Sequence, residues 1–316
     1  MDSTRANRMA QELIGKTVDV WTITEKLNQG KSAVVFKAEK NREQVALKIF
    51  DPELVESFGK TTQLQRIERE KSLIGVKNPY LVQIKGGGEC KQTGYLYVVM
   101  EYLPYKNLAQ KLDCIPRNLI SQIIGQIASS SKFLEDRGLA HRDIKPENIA
   151  ISDDFQRAVL LDLGVLHPVG LSTLTDHDEQ RAFLGTLQYS PPELLYRDEE
   201  NTPEAWRAIS FYQLGAVLHD LIMKSPIFHS YRQPFAVMVD AVREVNPKIS
   251  AKDVDSQLVL LAKTCLLKDP SQRLKYLNWD RFLSQPAETE DNRQPPPFDP
   301  PSQNPSQFVP VSQMFS

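Results

Sequence analysis

From Val20 the chain sets apolar residues in short alternating runs, Trp21 and Ile23, then Val34, Val35 and Phe36, then Val45, Leu47 and Ile49, each bounded by a polar break. A period of two with β-branched residues marks half-buried strands, so this stretch reads as an antiparallel meander. The rhythm changes over 62–74, where Leu64, Ile67, Leu73 and Ile74 lie among charges and predict a helix with one buried face. Asn78-Pro79 ends it, because the residue before a proline is pushed out of the helical region. Residues 81–84 and 96–100 read as two more strands, giving five strands and one main helix before residue 101.

After Glu101-Tyr102-Leu103-Pro104, a connector, the pattern turns helical. Leu119, Ile120, Ile123, Ile124, Ile127 and Leu134 recur at i, i+3, i+4 and i+7, and two further apolar helices are predicted over 211–223 and 257–267. A strand-rich half (20–100) beside a helix-rich half (104–283) predicts an α+β, bilobal fold with a cleft between the lobes. Residues 1–19 read as an N-terminal extension. Residues 284–316 hold eight prolines and five glutamines with little apolar surface to offset ordering entropy, so they are expected to be disordered. Their end, 308–315, is apolar enough to be a docking peptide, although a tail end with no partner is the favoured reading.

Composition narrows the class. The chain has 316 residues, 41% hydrophobic and 25% charged, enough for a sizeable core. A net charge of -2 disfavours nucleic-acid binding through a basic surface. Cys90, Cys114 and Cys265 are far apart, with neither a metal-ligand spacing nor a disulfide framework, which suits a reducing compartment. A polar start and the lack of any run of about 18 apolar residues predict neither signal peptide nor membrane span, hence a cytoplasmic protein.

The chemistry concentrates in His141-Arg142-Asp143-Ile144-Lys145-Pro146-Glu147-Asn148. Its spacing places a base, a cation and an amide within six positions, as phosphoryl transfer requires. Asp143 could accept the proton of an attacking hydroxyl, Lys145 could neutralise the transferring phosphoryl, and Asn148 could bind Mg2+. Asp162-Leu163-Gly164, at the end of an apolar strand, supplies a second, acidic Mg2+ ligand in Asp162. Upstream, Gly15-Lys16-Thr17 imitates a phosphate-binding P-loop but lacks the earlier glycine. A better candidate is Leu27-Asn28-Gln29-Gly30-Lys31-Ser32-Ala33-Val34-Val35, which fits a phosphate-covering hairpin with only its middle glycine kept; Asn28 and Ala33 stand in for the others. Lys48 follows at a spacing that points it under the phosphates, and Glu70 is the carboxylate expected to pair with it, ahead of Glu68. Arg273 is expected to meet Glu193 of Pro191-Pro192-Glu193. His167 and His177 have no supporting ligand spacing and read as solvated loop residues.

Together these motifs, in this order over about 20–283, resemble the eukaryotic-like (Hanks-type) serine/threonine protein kinases, and among them free-standing bacterial ones. The resemblance implies ATP and Mg2+ as cofactors and protein serine and threonine hydroxyls as substrates. It gives Lys48 the α- and β-phosphates, Asp143 the role of base, and Asn148 and Asp162 the metal. It also places Glu101 and Leu103 at the adenine-binding hinge, Met100 at the gatekeeper position, and Val35, Ala46 and Ala150 along the adenine slot. Three departures follow. Asn28 and Ala33 should stiffen the hairpin and weaken ATP binding, Ala150 leaves room beneath the adenine, and Ser210 stands where the family has an aspartate that braces the catalytic loop. Arg142 is expected to need an anion from the segment 162–193, either Asp178 or Glu179 or a phosphorylated Thr173 or Thr175. The rival readings are a pseudokinase scaffold and a small-molecule phosphotransferase. The first would be favoured by loss of Lys48, Asp143 or Asp162, all of which are present; the second would be expected to lack the Pro-Pro-Glu segment.

Overall fold

In the computed structural model, which describes residues 1–170, 186–231 and 233–283, the N-terminal lobe is a sheet buried on both faces. Helix α1 (Ser3–Leu13) precedes β1 (Thr17–Val18), β2 (Trp21–Gln29), β3 (Ala33–Lys40) and β4 (Glu43–Phe50). Helices α2 (Pro52–Phe58) and α3 (Lys60–Lys71) follow, then β5 (Ile84–Glu89) and β6 (Leu96–Glu101). All pairings are antiparallel, in the order β1-β2-β3-β4-β6-β5. Two-residue β1 is a sixth strand beside the five expected.

Three expectations shift. The strand expected at 81–84 begins where that run ends, because Gly86-Gly87-Gly88 carry the pairing although glycine disfavours strands. Gly87 is needed: a Cβ there would lie 2.9 Å from the Tyr97 carbonyl and 3.1 Å from Ile67 Cγ2, so α3 packs directly on the strand. Leu81 instead makes an isolated bridge to Leu160 in the other lobe, backed by Val82 N–H to Leu160 O at 3.0 Å. The helix expected over 62–74 is α3, which begins at Lys60, stops at Lys71 and leaves Ile74 exposed; a further helix that was not expected, α2, capped by Asp51, precedes it.

Residues 1–19 are packed onto the lobe. Asp2 caps α1 by accepting from Arg5 N–H at 2.8 Å. Ala6, Met9, Ala10 and Leu13, spaced i, i+3, i+4 and i+7, bury against Val18, Ile23, Val34 and Phe36 on the outer sheet face. Arg5 pairs with buried Asp51 and with Glu53. At the end of the β2–β3 hairpin, Gln29 Nε2 donates to Ser3 Oγ at 3.2 Å, and Lys26 Nζ joins Asn7 Oδ1 (2.8 Å) to Gln29 Oε1 (2.7 Å).

The second lobe carries β7 (Lys106–Asn107), α4 (Leu108–Lys111), α5 (Ile120–Glu135), β8 (Leu139–Ala140), β9 (Ile149–Ile151), β10 (Ala158–Leu160) and β11 (His167–Pro168). After them come α6 (Pro192–Tyr196), α7 (Pro203–Met223), α8 (Phe235–Glu244), α9 (Ser256–Cys265), α10 (Pro270–Tyr276) and α11 (Asp280–Leu283). Small antiparallel sheets β10-β9-β7 and β11-β8 hold the two ends of the 141–148 loop. Helix α7 starts two turns before the predicted 211, with Thr202 as cap and Pro203 in its first turn, where Glu204, Arg207 and Ser210 interrupt the apolar pattern. It is buried along almost its whole length and passes so close to α9 that a Cβ on Gly215 would sit 2.2 Å from Cys265 Cβ. One apolar cluster runs from α3, β5 and β6 through α5 to α7. Among the described residues no helix is long and apolar enough to cross a membrane. The tail and residues 172–179 lie outside the described residues, so the tail and the activation-segment expectations, His177 included, have no structural counterpart here.

Candidate active site

The 141–148 loop is fixed at both ends by its own polar groups. His141 faces the Leu161 carbonyl through Nε2 at 2.9 Å and accepts from Asp143 N–H through Nδ1 at 3.3 Å, which requires the neutral Nε2–H form. Burial favours that form by lowering the imidazole pKa. Asn148 Nδ2 donates to both Asp143 O and Asp143 Oδ2 at 2.9 Å, and a turn from Pro146 to Asn148 returns the chain to β9.

Around the Asp143 carboxylate the geometry converges. Lys145 Nζ donates to Oδ2 at 2.6 Å and to Thr186 Oγ1 at 2.5 Å, while Thr186 Oγ1 donates to Oδ1 at 3.2 Å. Asp143 is thereby aimed by three side chains from two segments. Because Asn148 spends its amide N–H on Asp143, its carbonyl oxygen is the part left to bind a cation.

A second charged group lies under the β2–β3 hairpin. Lys48 Nζ bonds Asp162 Oδ1 at 2.6 Å. The expected direct pairing with Glu70 does not form: Glu70 is fully buried and its Oε1 has no hydrogen-bond partner. Both groups nevertheless face Gly164, where a Cβ would lie 2.9 Å from Lys48 Nζ and 3.7 Å from Glu70 Oε1. Asp162 takes Lys48 because it sits at the cleft with a left-handed backbone (φ 56°) that turns its carboxylate toward the lysine. Lys48 holds the Asp162 carboxyl down at about 2. Burial works against the ammonium of Lys48, but Asp162 and Glu70 outweigh it and raise its pKa. Burial pushes Glu70 up to about 7 against the pull of Lys48.

The slot beside these charges is apolar. Ala46, Met100 and Ala150 are buried, Val35 and Leu103 half-buried, and all pack on the cluster that joins the lobes. Glu101 is pinned by Gln83, whose N–H donates to Glu101 Oε1 at 3.0 Å and whose carbonyl accepts from Glu101 N–H at 2.9 Å. In the hairpin, Gly30 N–H closes the turn onto Ala33 O at 2.8 Å; Ala33 is buried and Asn28 exposed, its Oδ1 accepting from Gln29 N–H.

Three further findings concern support. Arg273, fully buried, is joined to Glu193 as expected and also donates to the carbonyls of Ala208 (3.1 Å) and Leu267 (2.5 Å). His167 is not a solvated loop residue: it is buried in β11, receives Arg142 at Nδ1 (3.4 Å), and donates to Asn201 Oδ1 at 3.0 Å. Asn201 Oδ1 also accepts from Trp206 Nε1 at 2.9 Å, and Arg142 Nε donates to Val165 O at 2.6 Å. Ser210 does not reach the catalytic loop; its hydroxyl bonds Trp206 O within its own helix at 2.9 Å.

An apolar slot, a buried lysine and an uncovered hairpin suit a nucleotide. An amide oxygen and a carboxylate are hard ligands of the kind Mg2+ takes, with phosphate and water completing its shell. The unbonded Glu70 Oε1 faces the space by Lys48, where it is a second carboxylate available to the ammonium. A family model described as the protein kinase domain matches residues 21–285. The chain belongs to the protein kinase family. ATP and Mg2+ are the cofactors of that family. This kinase domain is 24% identical over 273 residues to the serine/threonine-protein kinase ULK3 of Rattus norvegicus, covering 82% of the chain and 53% of the relative. It is 25% identical to the probable serine/threonine protein kinase IREH1 of Arabidopsis thaliana, over 86% of the chain and 24% of the relative. A bacterial relative, the probable serine/threonine-protein kinase SCO3848 of Streptomyces coelicolor, is 26% identical over 78% of the chain and 37% of its own length. The chain thus spans about half or less of these curated relatives. Within the kinase domain, sequence reasoning left out Gln213, which contacts the catalytic loop, and did not foresee Thr186 on the Asp143 carboxylate. The signal for it was the lysine two residues after the aspartate together with Thr186 itself ahead of Pro191-Pro192-Glu193, a pair that suited the serine/threonine branch.

Proposed function

We propose that the chain transfers the γ-phosphoryl group of ATP to serine and threonine hydroxyls of protein substrates. The supporting observation is the Asp143 carboxylate held by Lys145, Thr186 and Asn148. Asp143 receives the proton of the hydroxyl as its oxygen bonds to phosphorus and the bond to the ADP oxygen breaks. Lys145 stands beside the attacking oxygen and offsets the charge gathered there. Lys48 binds the nonreacting phosphates, with Glu70 close by as the second carboxylate for its ammonium. Mg2+, held by Asn148 and Asp162, would screen the phosphate oxygens. Asn28, Gly30 and Ala33 form the roof; Glu101 and Leu103 present hinge backbone to the adenine between Val35, Ala46, Met100 and Ala150. The domain occupies 20–283, its activity is cytoplasmic, and the 308–315 segment is a candidate docking peptide for a protein partner.

Incubation with γ-labelled ATP and Mg2+, with phosphosites mapped on the chain and on generic protein substrates, tests this reading. Label on serine or threonine that disappears in Asp143→Asn is expected; nucleotide binding without transfer would make the chain a pseudokinase. A tail lacking 308–315 that captures the same substrates equally well would remove the docking role. Cell fractionation that finds the chain outside the cytoplasm would remove the location.

A further inference from the structure

Asp143 can act only if the backbone on either side of it is fixed, and that backbone is strained. Arg142 has φ 69°, a left-handed conformation that a non-glycine residue keeps only when its surroundings enforce it. The enforcement comes from below, through α7. Gln213 is 1% exposed; its Nε2 donates to Arg142 O at 2.7 Å, and its Oε1 accepts from Ile144 N–H at 3.3 Å. These are the peptide groups flanking Asp143, one a carbonyl and one an N–H.

The position the family resemblance marks for such a brace, Ser210, is occupied by a hydroxyl bonded back into its own helix. Residues 210 and 213 lie three apart and so share a helix face. From one turn further along, the two methylenes of glutamine give the reach a shorter side chain lacks. The chemistry also changes: a carboxylate only accepts, whereas a primary amide donates and accepts at once. It can therefore hold a carbonyl and an N–H in opposite senses without burying a charge. We infer that Gln213 is the positioning residue of the catalytic loop in this chain, replacing the bracing function lost at Ser210. Only the turnover part of this inference rests on the kinase reading above.

The test uses the full chain and three proteins: wild type, Gln213→Met, and Gln213→Met/Ser210→Asp. Methionine keeps length and volume and removes both hydrogen bonds. Turnover is expected to fall about tenfold or more in Gln213→Met while KM for ATP stays within about twofold, because the hinge and Lys48 are untouched. Adding Ser210→Asp is expected to restore at least about fivefold of the loss, by supplying a carboxylate from the same face. Independently of activity, hydrogen exchange at the Ile144 amide should quicken about tenfold or more in Gln213→Met. If the methionine variant fails to fold, Gln213→Asn, one methylene short of both partners, is measured the same way. Should wild type transfer no phosphate, the kinase reading fails and the exchange measurement alone decides the brace. Turnover and Ile144 exchange both within about twofold of wild type in a folded variant would overturn it, as would a parallel loss in kcat and KM with no rescue by Ser210→Asp.

Discussion

Glu70 is a carboxyl group whose surroundings oppose its ionisation. Its burial raises the pKa from 4.5 to about 7, although Lys48 attracts the charged form. Between those two values the folded protein keeps a proton that the unfolded chain has released, so this group favours folding on the acid side and the benefit fades as pH climbs. Glu70→Gln carries no such dependence. Its melting temperature relative to wild type is therefore expected to rise between about pH 5 and about pH 8, and a flat difference would show that Glu70 ionises normally. Asp143→Asn should lower kcat by about three orders of magnitude or more with nucleotide affinity nearly unchanged, measured by turnover beside equilibrium ATP binding, because the base proposed above meets the hydroxyl and not ATP. The residues proposed for this chemistry were legible as candidates because phosphoryl transfer needs fixed residue types at fixed spacing. Gln213 and His167 were not, since nothing local shows which side of a buried helix faces a loop about 70 positions away or that a histidine between a leucine and a proline is covered by a tryptophan.

Helix α7 organises the elements of the larger lobe. Its apolar second half was plain in the sequence, whereas its first half was hidden by side chains that bond inward: Arg207 to Glu135 at 2.6 Å, and Ser210 to its own backbone. Strand β5 was masked by glycine, and α1 by the polar residues that alternate with its buried stripe. Gly215→Ala is expected to destabilise the fold by about 2 kcal/mol or more, read by denaturant titration, because neither helix backbone can yield to a methyl 2.2 Å from Cys265 Cβ. Arg273→Met should be more damaging, at about 3–5 kcal/mol by the same titration, since it leaves Glu193 buried without its partner. Burial already raises the Glu193 pKa despite Arg273, so much of that loss should be relieved as the solution is acidified and the carboxyl takes a proton.

At the scale of the whole molecule, the apolar residues form separate clusters, and the two that bear on the N-terminal lobe divide its sheet by face. The inner-face cluster continues through α5 into α7 and carries the lobes' relative placement; the outer-face one holds α1, β1 and the outward side chains of β2 to β4. Removing residues 1–14 is expected to raise KM for ATP about threefold or more with little change in kcat, since the β2–β3 hairpin loses its ties to Ser3 and Asn7 while the catalytic loop is untouched. The division also sets how the protein comes apart. Because α1 belongs only to the outer cluster, it can lift away as a unit without opening the layer that joins the lobes. Its amides should exchange through a partial opening that is nearly insensitive to low denaturant, while those of α5 and α7 wait for global unfolding. The chain would then pass through a state, populated ahead of denaturation, in which the catalytic loop is intact and the roof over the nucleotide has come loose.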